Sequence, residues 1–125
     1  MRNAVFWCEI PVTDFDRAAR FYENVFKEKL IPRPIKRANR YEVFPLVPRL
    51  PGAGLALVEG DGNAPSESGA VIYIDRDEDL SIPLSRIEES GGVVLLSKTE
   101  NVGGNGYIAL FRDTEGNKVG LHSSI

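Results

Sequence analysis

The same order of predicted elements occurs twice along the chain, and this repeat constrains the fold more than any other feature. Each half begins with a strand, continues with a helix and ends with about three strands, although the two halves share little identity. A loop near the centre separates them, Gly60-Asp61-Gly62-Asn63-Ala64-Pro65-Ser66. Because strands dominate and each helix can cover one side of a sheet, the pattern predicts an α+β domain built from two similar halves.

The first half contains the clearest amphipathic helix. Its apolar side chains recur with helical spacing, at Phe15, Ala18, Phe21, Tyr22, Val25 and Phe26. Residues 4–10, which precede it, are β-branched and aromatic and predict a strand. Thr13 is the predicted N-cap of the helix, since acidic residues follow it in the first turn. Two further strands are predicted over residues 41–47 and 54–59.

The second half repeats this order with a shorter helix. A strand is predicted over residues 70–74 and is followed by an acidic turn. Leu80, Leu84 and Ile87 then mark the helix, which Gly91 and Gly92 end. The last three strands are predicted over residues 93–96, 107–112 and 118–122. The turn between the final two contains Gly116, which supplies the permissive backbone that a hairpin needs.

The rare residues exclude several kinds of site. Cys8 is the single cysteine and His122 the single histidine, so one chain can form neither a disulfide nor a metal site built on several cysteines or histidines. The 125 residues carry a formal net charge of -3 and no basic block, which disfavours nucleic acid and membranes as partners. Without an apolar run of about 18 residues or a signal-peptide pattern, and with a free thiol, the sequence predicts a cytoplasmic protein.

Two motifs, one near each end, carry a family resemblance. The first is a predicted strand followed by Pro11-Val12-Thr13-Asp14, then Arg17-Ala18-Ala19-Arg20-Phe21-Tyr22 and Val25-Phe26. The second is Phe111-Arg112-Asp113-Thr114-Glu115-Gly116-Asn117-Lys118-Val119-Gly120-Leu121. Together they resemble the vicinal oxygen chelate (VOC) superfamily, which contains glyoxalase I, the bleomycin-resistance proteins and the extradiol dioxygenases. The resemblance covers essentially the whole chain.

The resemblance implies a particular architecture and assembly. Two βαβββ modules, at about 3–60 and 68–124 in a single domain over residues 1–125, would form a curled, cup-shaped mixed sheet around a cavity. A small-molecule ligand would occupy that cavity. Members of the superfamily commonly dimerise, which makes a homodimer the expected assembly.

The resemblance also implies a divalent metal in the cup, but this chain departs from the ligand pattern. The metal enzymes of the family take their ligands from the first and last strands of each module. Alignment on Val12 and Asp14 places Trp7 where a first-strand histidine is usual. The other three ligand positions fall on Leu55 or Leu57, on Gly69 and on Gly120. No aligned position keeps a ligand, so a divalent metal is unsupported and the cofactor is unknown.

Glu9 and His122 are the candidate catalytic residues. Glu9 lies two residues from Trp7, so strand alternation puts both side chains on one face, where the carboxylate could act as a general base. His122 shares the face of Gly120 and could ligate a metal from a displaced position or act as a base with Glu9. The alternatives are an ion pair of Glu9 with an arginine and a surface position for His122 near the chain end.

Five aromatic residues are candidate ligand contacts: Trp7, Phe44, Tyr73, Tyr107 and Phe111. Trp7 and Tyr73 belong to the first strands of the two halves and could stack on a flat ligand. The alternative for all five is packing in the core. Cys8 alternates with Trp7 and Glu9, so it is predicted to face the helix side as a small apolar residue.

Two functions that involve a small molecule remain open from the sequence, beside a dimeric scaffold that binds no small ligand. One is a glyoxalase-like enzyme, related to the lyases or dioxygenases, that acts on a small polar metabolite. The other is a metal-free protein of the bleomycin-resistance type that binds or sequesters a small molecule. The run Gly103-Gly104-Asn105-Gly106 precedes a strand and not a helix, so it cannot cradle a phosphate and is interpreted as a mobile loop at the mouth of the cup.

Overall fold

The two predicted halves fold as two four-stranded sheets, each with one helix. The computed structural model describes residues 4–47, 51–101 and 103–125; residues 1–3 of the predicted domain lie outside this part. The first module consists of β1 (Trp7–Pro11), α1 (Phe15–Phe26), β2 (Ile31–Pro32), β3 (Arg40–Val43) and β4 (Gly54–Glu59). The second consists of β5 (Tyr73–Asp75), α2 (Ser81–Ile87), β6 (Val93–Glu100), β7 (Tyr107–Arg112) and β8 (Lys118–Ser123).

Both sheets have the same strand order, which confirms the predicted repeat. The order is β1-β4-β3-β2 in the first sheet and β5-β8-β7-β6 in the second. In each module the first strand runs parallel to the last strand, and the other pairs are antiparallel. A parallel neighbour requires a crossover connection, which the helix supplies. The fold is therefore α+β with two βαβββ modules, as expected, and β1 and β5 are edge strands.

The observed strands are shorter at several ends than the sequence predicts. β1 begins at Trp7 and not at residue 4, because its ladder with β4 begins with the pair Trp7–Gly54. β5 begins at Tyr73 for the same reason, since its ladder with β8 begins with the pair Tyr73–Gly120. Residues 4–6 and 70–72 also have β propensity, but a strand extends only as far as a neighbouring strand pairs with it. The short β2 had no individual signal in the sequence.

The N-cap of α1 is Asp14 and not Thr13, which corrects the prediction by one residue. Asp14 has an extended backbone, and its carboxylate accepts the backbone N–H of Arg17 at 3.1 Å. Thr13 has a different role, because its N–H and hydroxyl both donate to the Glu115 side chain at 3.0 Å. The helix ends at Phe26, and the following C-cap residue Lys27 adopts the left-handed conformation with φ of 54°.

One main core joins the two modules. It contains both helices and one face of each sheet, with fully buried members that include Tyr22, Leu57, Leu80, Phe111 and Leu121. The predicted apolar stripe of α1 is buried throughout. α1 also packs on the second sheet, since the ring centroids of Phe21 and Phe111 lie 5.8 Å apart. This shared burial makes the two modules a single packed unit.

A second, smaller cluster covers the opposite face of the first sheet. Its buried members are Tyr41, Val43, Ala56 and Val58, and Trp7, Ile35 and Ala38 pack against them. The segment between β2 and β3 thus covers part of this face.

Within the described ranges, none of the helices has the length and apolar character needed to cross a membrane.

Candidate functional site

Four of the seven candidate site residues, Trp7, Glu9, Tyr73 and His122, lie on the face of each sheet opposite the main core, which we call the cup face. Strand alternation places Trp7 and Glu9 on the cup face of the first sheet, while Ile10 of the same strand enters the main core. On the second sheet, Tyr73 and Gly120 are Cα partners, as are Asp75 and His122. The two modules therefore present equivalent positions, with β1 and β4 of the first matching β5 and β8 of the second.

An aromatic ring lies over a glycine at the same register in both modules. Trp7 is paired with Gly54, and a Cβ built on Gly54 would overlap the indole ring. Tyr73 is paired with Gly120, and a Cβ there would lie only 2.7 Å from the Tyr73 Cγ. Each glycine is therefore required sterically, because any other residue would displace the ring opposite.

This register corrects two of the four aligned ligand positions. Gly54 is the counterpart of Gly120, whereas Leu57 is fully buried in the main core and Leu55 packs against it. Tyr73 is the counterpart of Trp7, whereas Gly69 lies outside every described strand. The sequence alignment missed both positions because the two modules have too little identity to reveal the repeat residue by residue.

These residues do not fit the divalent metal that the family resemblance implies. Two aromatic rings and two glycines occupy the four positions, and each ring fills the space of a ligand side chain on the opposite strand. Across the part of the chain that the structure describes, no three or more His, Cys, Asp or Glu side chains are grouped so that they could hold a metal ion. The cup faces therefore lack the donor set of a metal centre.

Glu9 lies in a polar network on the first sheet. Trp7 Nε1 donates to the Tyr41 hydroxyl at 2.8 Å, and that hydroxyl donates to Glu9 Oε2 at 2.6 Å. Arg37 forms an ion pair with the same carboxylate and a second one with Asp61 at 3.1 Å. Burial and the hydrogen bond to Glu9 raise the pKa of Tyr41. The ion-pair alternative for Glu9 is thus what the structure contains, and its role as a base stays a prediction.

Sequence reasoning did not identify Arg37 and Tyr41 as members of this network. Arg37 belongs to the irregular segment between β2 and β3, where no periodicity indicates the direction of a side chain. The face of the sheet on which Tyr41 lies could be predicted, because its strand was predicted and side chains alternate along a strand. Its contact with Glu9 could not, because that contact depends on the strand order, in which β4 lies between β3 and β1.

Trp7 and Tyr73 differ in how much ring surface they expose. Trp7 is half-buried, with Gly54 against its ring and the Arg33 guanidinium 5.6 Å from the ring centroid. Tyr73 is 47% exposed. Of the two equivalent rings, the one in the second module therefore presents the larger open aromatic surface.

His122 bridges two elements of the second module. Its Nδ1 lies 2.7 Å from Asp75 Oδ1 on β5, and its Nε2 lies 2.7 Å from the backbone carbonyl of Asn105. Both hydrogen bonds raise the pKa of His122, that to Asp75 first, and together they outweigh the opposing effect of burial. His122 and Glu9 therefore share no hydrogen-bonding partner. Both ring nitrogens of His122 are occupied by these hydrogen bonds, so neither is available to a metal ion.

The remaining aromatic candidates face the main core. Phe111 is fully buried there, which corrects its assignment as a ligand contact, because it has no surface to offer. Tyr107 packs against the same core, with Lys98 Nζ 4.4 Å from its ring centroid. Phe44 packs edge-on against Tyr22 with the ring centroids 5.6 Å apart. Alternation along β7 places Tyr107 and Phe111 on this face, whereas Phe44 follows the end of β3.

Two of the cavities that the described residues line contain neither Glu9 nor His122 in their walls. One, of about 410 Å³, lies between the modules, and its lining includes Cys8, Phe44 and Leu55 together with Gly54, Tyr73 and Asp75 of the candidate site. Cys8 thus faces the side opposite Trp7 and Glu9, as alternation predicts. The other, a shallow groove of about 780 Å³, follows the polar side of α1 and is lined mainly by charged residues.

Comparisons with known proteins agree with this architecture. The model of the Glyoxalase/Bleomycin resistance protein/Dioxygenase superfamily matches residues 4–121. The chain therefore belongs to this superfamily, and the resemblance of its two motifs is confirmed. No curated protein matches it in sequence.

Solved structures with the same fold come from several branches of the superfamily. A glyoxylase/bleomycin resistance protein/dioxygenase domain from Frankia sp. EAN1pec superposes with a TM-score of 0.72 at 19% identity, covering 98% of this chain and 93% of that one. The fosfomycin resistance protein FosX from Listeria monocytogenes, as an E126Q mutant complexed with Mn(II) and 1S,2S-dihydroxypropylphosphonic acid, gives 0.69 at 18%, covering 100% and 95%. An E144Q mutant of glyoxalase I from Zea mays gives 0.69 at 23%, covering 94% of this chain and 46% of that one.

Proposed function

We propose that this chain is a metal-independent member of the superfamily that binds a small molecule on its cup faces. The observation that carries the proposal is the paired register of Trp7 with Gly54 and of Tyr73 with Gly120. The loss of one metal ligand would only weaken a metal site. Here all four ligand positions are occupied by an aromatic ring or by the glycine that makes room for it, so aromatic surface replaces the metal-ligating atoms.

The exposed ring of Tyr73 suits a flat apolar group in the ligand. Stacking of aromatic rings contributes roughly 0.5–1.5 kcal/mol beyond simple burial. His122 and Asp75 lie two residues further along the same two strands and provide polar groups beside the ring. An apolar wall with a few polar groups is the usual composition of a small-molecule site.

We also propose that the functional assembly is a homodimer. β1 and β5 are both edge strands, and an edge with unpaired backbone groups is readily covered by another chain. The side chains of Val93 and Leu95 on β6, the other edge of the second sheet, are exposed although both are apolar. Light scattering coupled to size exclusion would test this, with twice the mass of 13.8 kDa expected and a monomer at micromolar concentration contradicting it.

Metal binding provides the decisive experiment. The full chain is purified without chelator, its metal content is measured, and Ni²⁺, Zn²⁺ and Mn²⁺ are then titrated calorimetrically. We expect neither co-purified metal nor stoichiometric binding. One tightly bound ion per chain would overturn the proposal. A metal-dependent glyoxalase I, treated identically, serves as the positive control.

Ligand binding is tested with bleomycin as the probe and is monitored through the NMR chemical shifts of the Tyr73 ring. Replacing Tyr73 by alanine should weaken binding about three- to tenfold, the equivalent of one stacking contact. Ile82→Ala is the control, since Ile82 is a similarly exposed residue that lies on α2 and not on the cup face. Equal affinities of the Tyr73→Ala variant and the unmodified chain would remove Tyr73 from the site.

An enzymatic function is the second candidate, and the Asp75–His122 pair favours it. A carboxylate bonded to Nδ1 of a histidine orients the ring and stabilises its protonated form, which is the arrangement of many acid–base pairs. The substrate would have to displace the Asn105 carbonyl from Nε2. A proton transfer would then take place at that atom.

Activity on the hemithioacetal of methylglyoxal and glutathione tests the glyoxalase alternative. If turnover is found, His122→Gln should abolish it. Glu9→Gln should abolish it only if Glu9 is released from Arg37 to act as the base; unchanged turnover of that variant would refute the role. Absence of activity, together with absence of metal binding, would favour the binding function.

A further inference from the structure

We propose that His122 fastens the glycine-rich loop, residues 103–106, to β5 only while its ring is doubly protonated, so that attachment of the loop depends on pH. This inference concerns the loop itself and does not depend on which ligand the cup binds.

The hydrogen bonds of His122 carry the proposal. Both nitrogens of the ring lie 2.7 Å from an oxygen, one of the Asp75 carboxylate and one of the Asn105 carbonyl. Neither oxygen has a hydrogen to give, so each nitrogen must be a donor. Only the imidazolium has two N–H groups. The neutral ring has one and can satisfy only one of the two oxygens.

The bond to Asn105 is the one that deprotonation breaks. A hydrogen bond to a charged acceptor is stronger than one to a neutral carbonyl, so the remaining proton stays between Nδ1 and Asp75. The lone pair of Nε2 then faces the lone pairs of the Asn105 oxygen at 2.7 Å. That arrangement is repulsive, and the loop is the partner that can move.

The loop has a backbone that can respond. Gly103, Gly104 and Gly106 all have positive φ, at 92°, 75° and 83°. Two hydrogen bonds close the loop on itself, from Asn101 N–H to the Gly106 carbonyl at 2.8 Å and from Gly104 N–H to the Asn101 carbonyl at 3.2 Å. Among the described residues, the hydrogen bond from His122 to the Asn105 carbonyl is the side-chain hydrogen bond that joins this loop to the second sheet.

The elements around His122 contribute one formal charge in contact with the ring. β5 contributes Asp75, and the next residue, Arg76, donates its backbone N–H to the His122 carbonyl at 2.7 Å. β7 contributes the apolar Ile108 as the paired residue, with Tyr107 beside it. The loop contributes a neutral carbonyl. The proton on His122 is therefore governed mainly by Asp75.

The direction of the pH effect follows from the raised pKa. In the unfolded chain His122 titrates near its ordinary value of 6.5, whereas in the folded chain the pKa is higher. The attachment is complete below about 6.5. It is lost as pH rises through the folded value, so the loop detaches on the alkaline side.

NMR of the full-length chain provides the test. The midpoint of His122 is read from its ring resonances, and the amide shifts and ¹⁵N relaxation of Gly103, Gly104 and Gly106 are followed from pH 5.5 to 9. We expect the loop amides to titrate with the His122 midpoint, and their relaxation to show greater mobility above it. Loop signals that stay unchanged while His122 titrates would overturn the proposal.

Two variants distinguish loop attachment controlled by His122 from a general effect of pH on the chain. In His122→Gln the loop amides should show no titration in the same range. In Asp75→Asn the His122 midpoint should fall towards 6.5, and the loop midpoint should fall with it. A loop transition that persists in His122→Gln, or that does not follow His122 in Asp75→Asn, would contradict the proposal.

Discussion

Glu115, in the turn between β7 and β8, forms an ion pair with Arg17 of α1, with 2.8 Å between Oε2 and Nε. The same carboxylate accepts the backbone N–H groups of Thr13 and Asp14 at 3.0 and 2.8 Å. Its side chain has no exposed surface. The turn of the second module therefore binds the N-terminus of the first helix, where unpaired N–H groups and the helix dipole favour a negative charge.

Replacing Glu115 by glutamine should lower the free energy of unfolding by about 2 kcal/mol. The amide keeps the shape but removes the charge from several hydrogen bonds, and bonds to charged groups contribute roughly 1.5–3 kcal/mol. Urea unfolding at neutral pH measures the change. Glu67→Gln is the control: Glu67 pairs with Arg112 on the surface at 2.7 Å, where the loss should stay below about 1 kcal/mol. Equal losses in the two variants would contradict this account.

The pH dependence of the free energy of unfolding should show the contribution of the Glu115 carboxylate. Burial would raise the pKa of Glu115, but the hydrogen bonds from Arg17, Asp14 and Thr13 prevail and lower it from 4.5 to about 2. A lowered folded pKa means that the stabilisation is complete above 4.5 and is lost as pH falls towards 2. The unmodified chain should therefore lose more stability than Glu115→Gln in this interval. Parallel curves for the two proteins would be inconsistent with the lowered pKa.

Gly120→Ala should destabilise the chain by roughly 1–3 kcal/mol, the usual range for an overpacked site. The new Cβ would lie 2.7 Å from the Tyr73 Cγ, so the ring must move. Adding Tyr73→Ala should recover part of the loss, because the two residues share one space and their effects are not additive. Gly69→Ala is the control, with its nearest neighbour 3.7 Å from the added atom. Additive losses in the double variant would show that the ring does not depend on the glycine.

Tyr22→Phe should cost about 1–3 kcal/mol of unfolding free energy. Its buried hydroxyl donates to Asp113 Oδ2 at 2.6 Å, and removing it leaves a buried carboxylate with one partner fewer. Burial and the adjacent Asp113 raise the pKa of Tyr22 well above its usual value, so the hydroxyl keeps its proton and remains a donor at neutral pH. Tyr107→Phe is the control, since its hydroxyl makes no hydrogen bond to the described residues. A loss of similar size in both variants would contradict the argument.

The local parts of the site could be predicted because alternation along a strand is a property of neighbouring residues. Trp7 and Glu9 share a face, and Cys8 faces the other side, as their spacing predicts. For Phe111 the sequence left both a ligand contact and core packing open, and alternation along β7 places it in the core with Ala109. The sequence placed Trp7 and Tyr73 on the first strands of the two halves but not at the same register, because the register depends on the pairing of β5 with β8 and not on nearby residues.

By itself, the sequence determined the order of the elements, the buried stripe of α1 and the absence of a histidine- or cysteine-rich metal site within one chain. These follow from periodicity and from composition, which need no knowledge of distant contacts. Only the tertiary structure decided that Glu9 is held by Arg37, that His122 lies between Asp75 and Asn105, and that two glycines seat two rings. Such contacts join residues far apart in the chain, and the register of the strands is what brings them together.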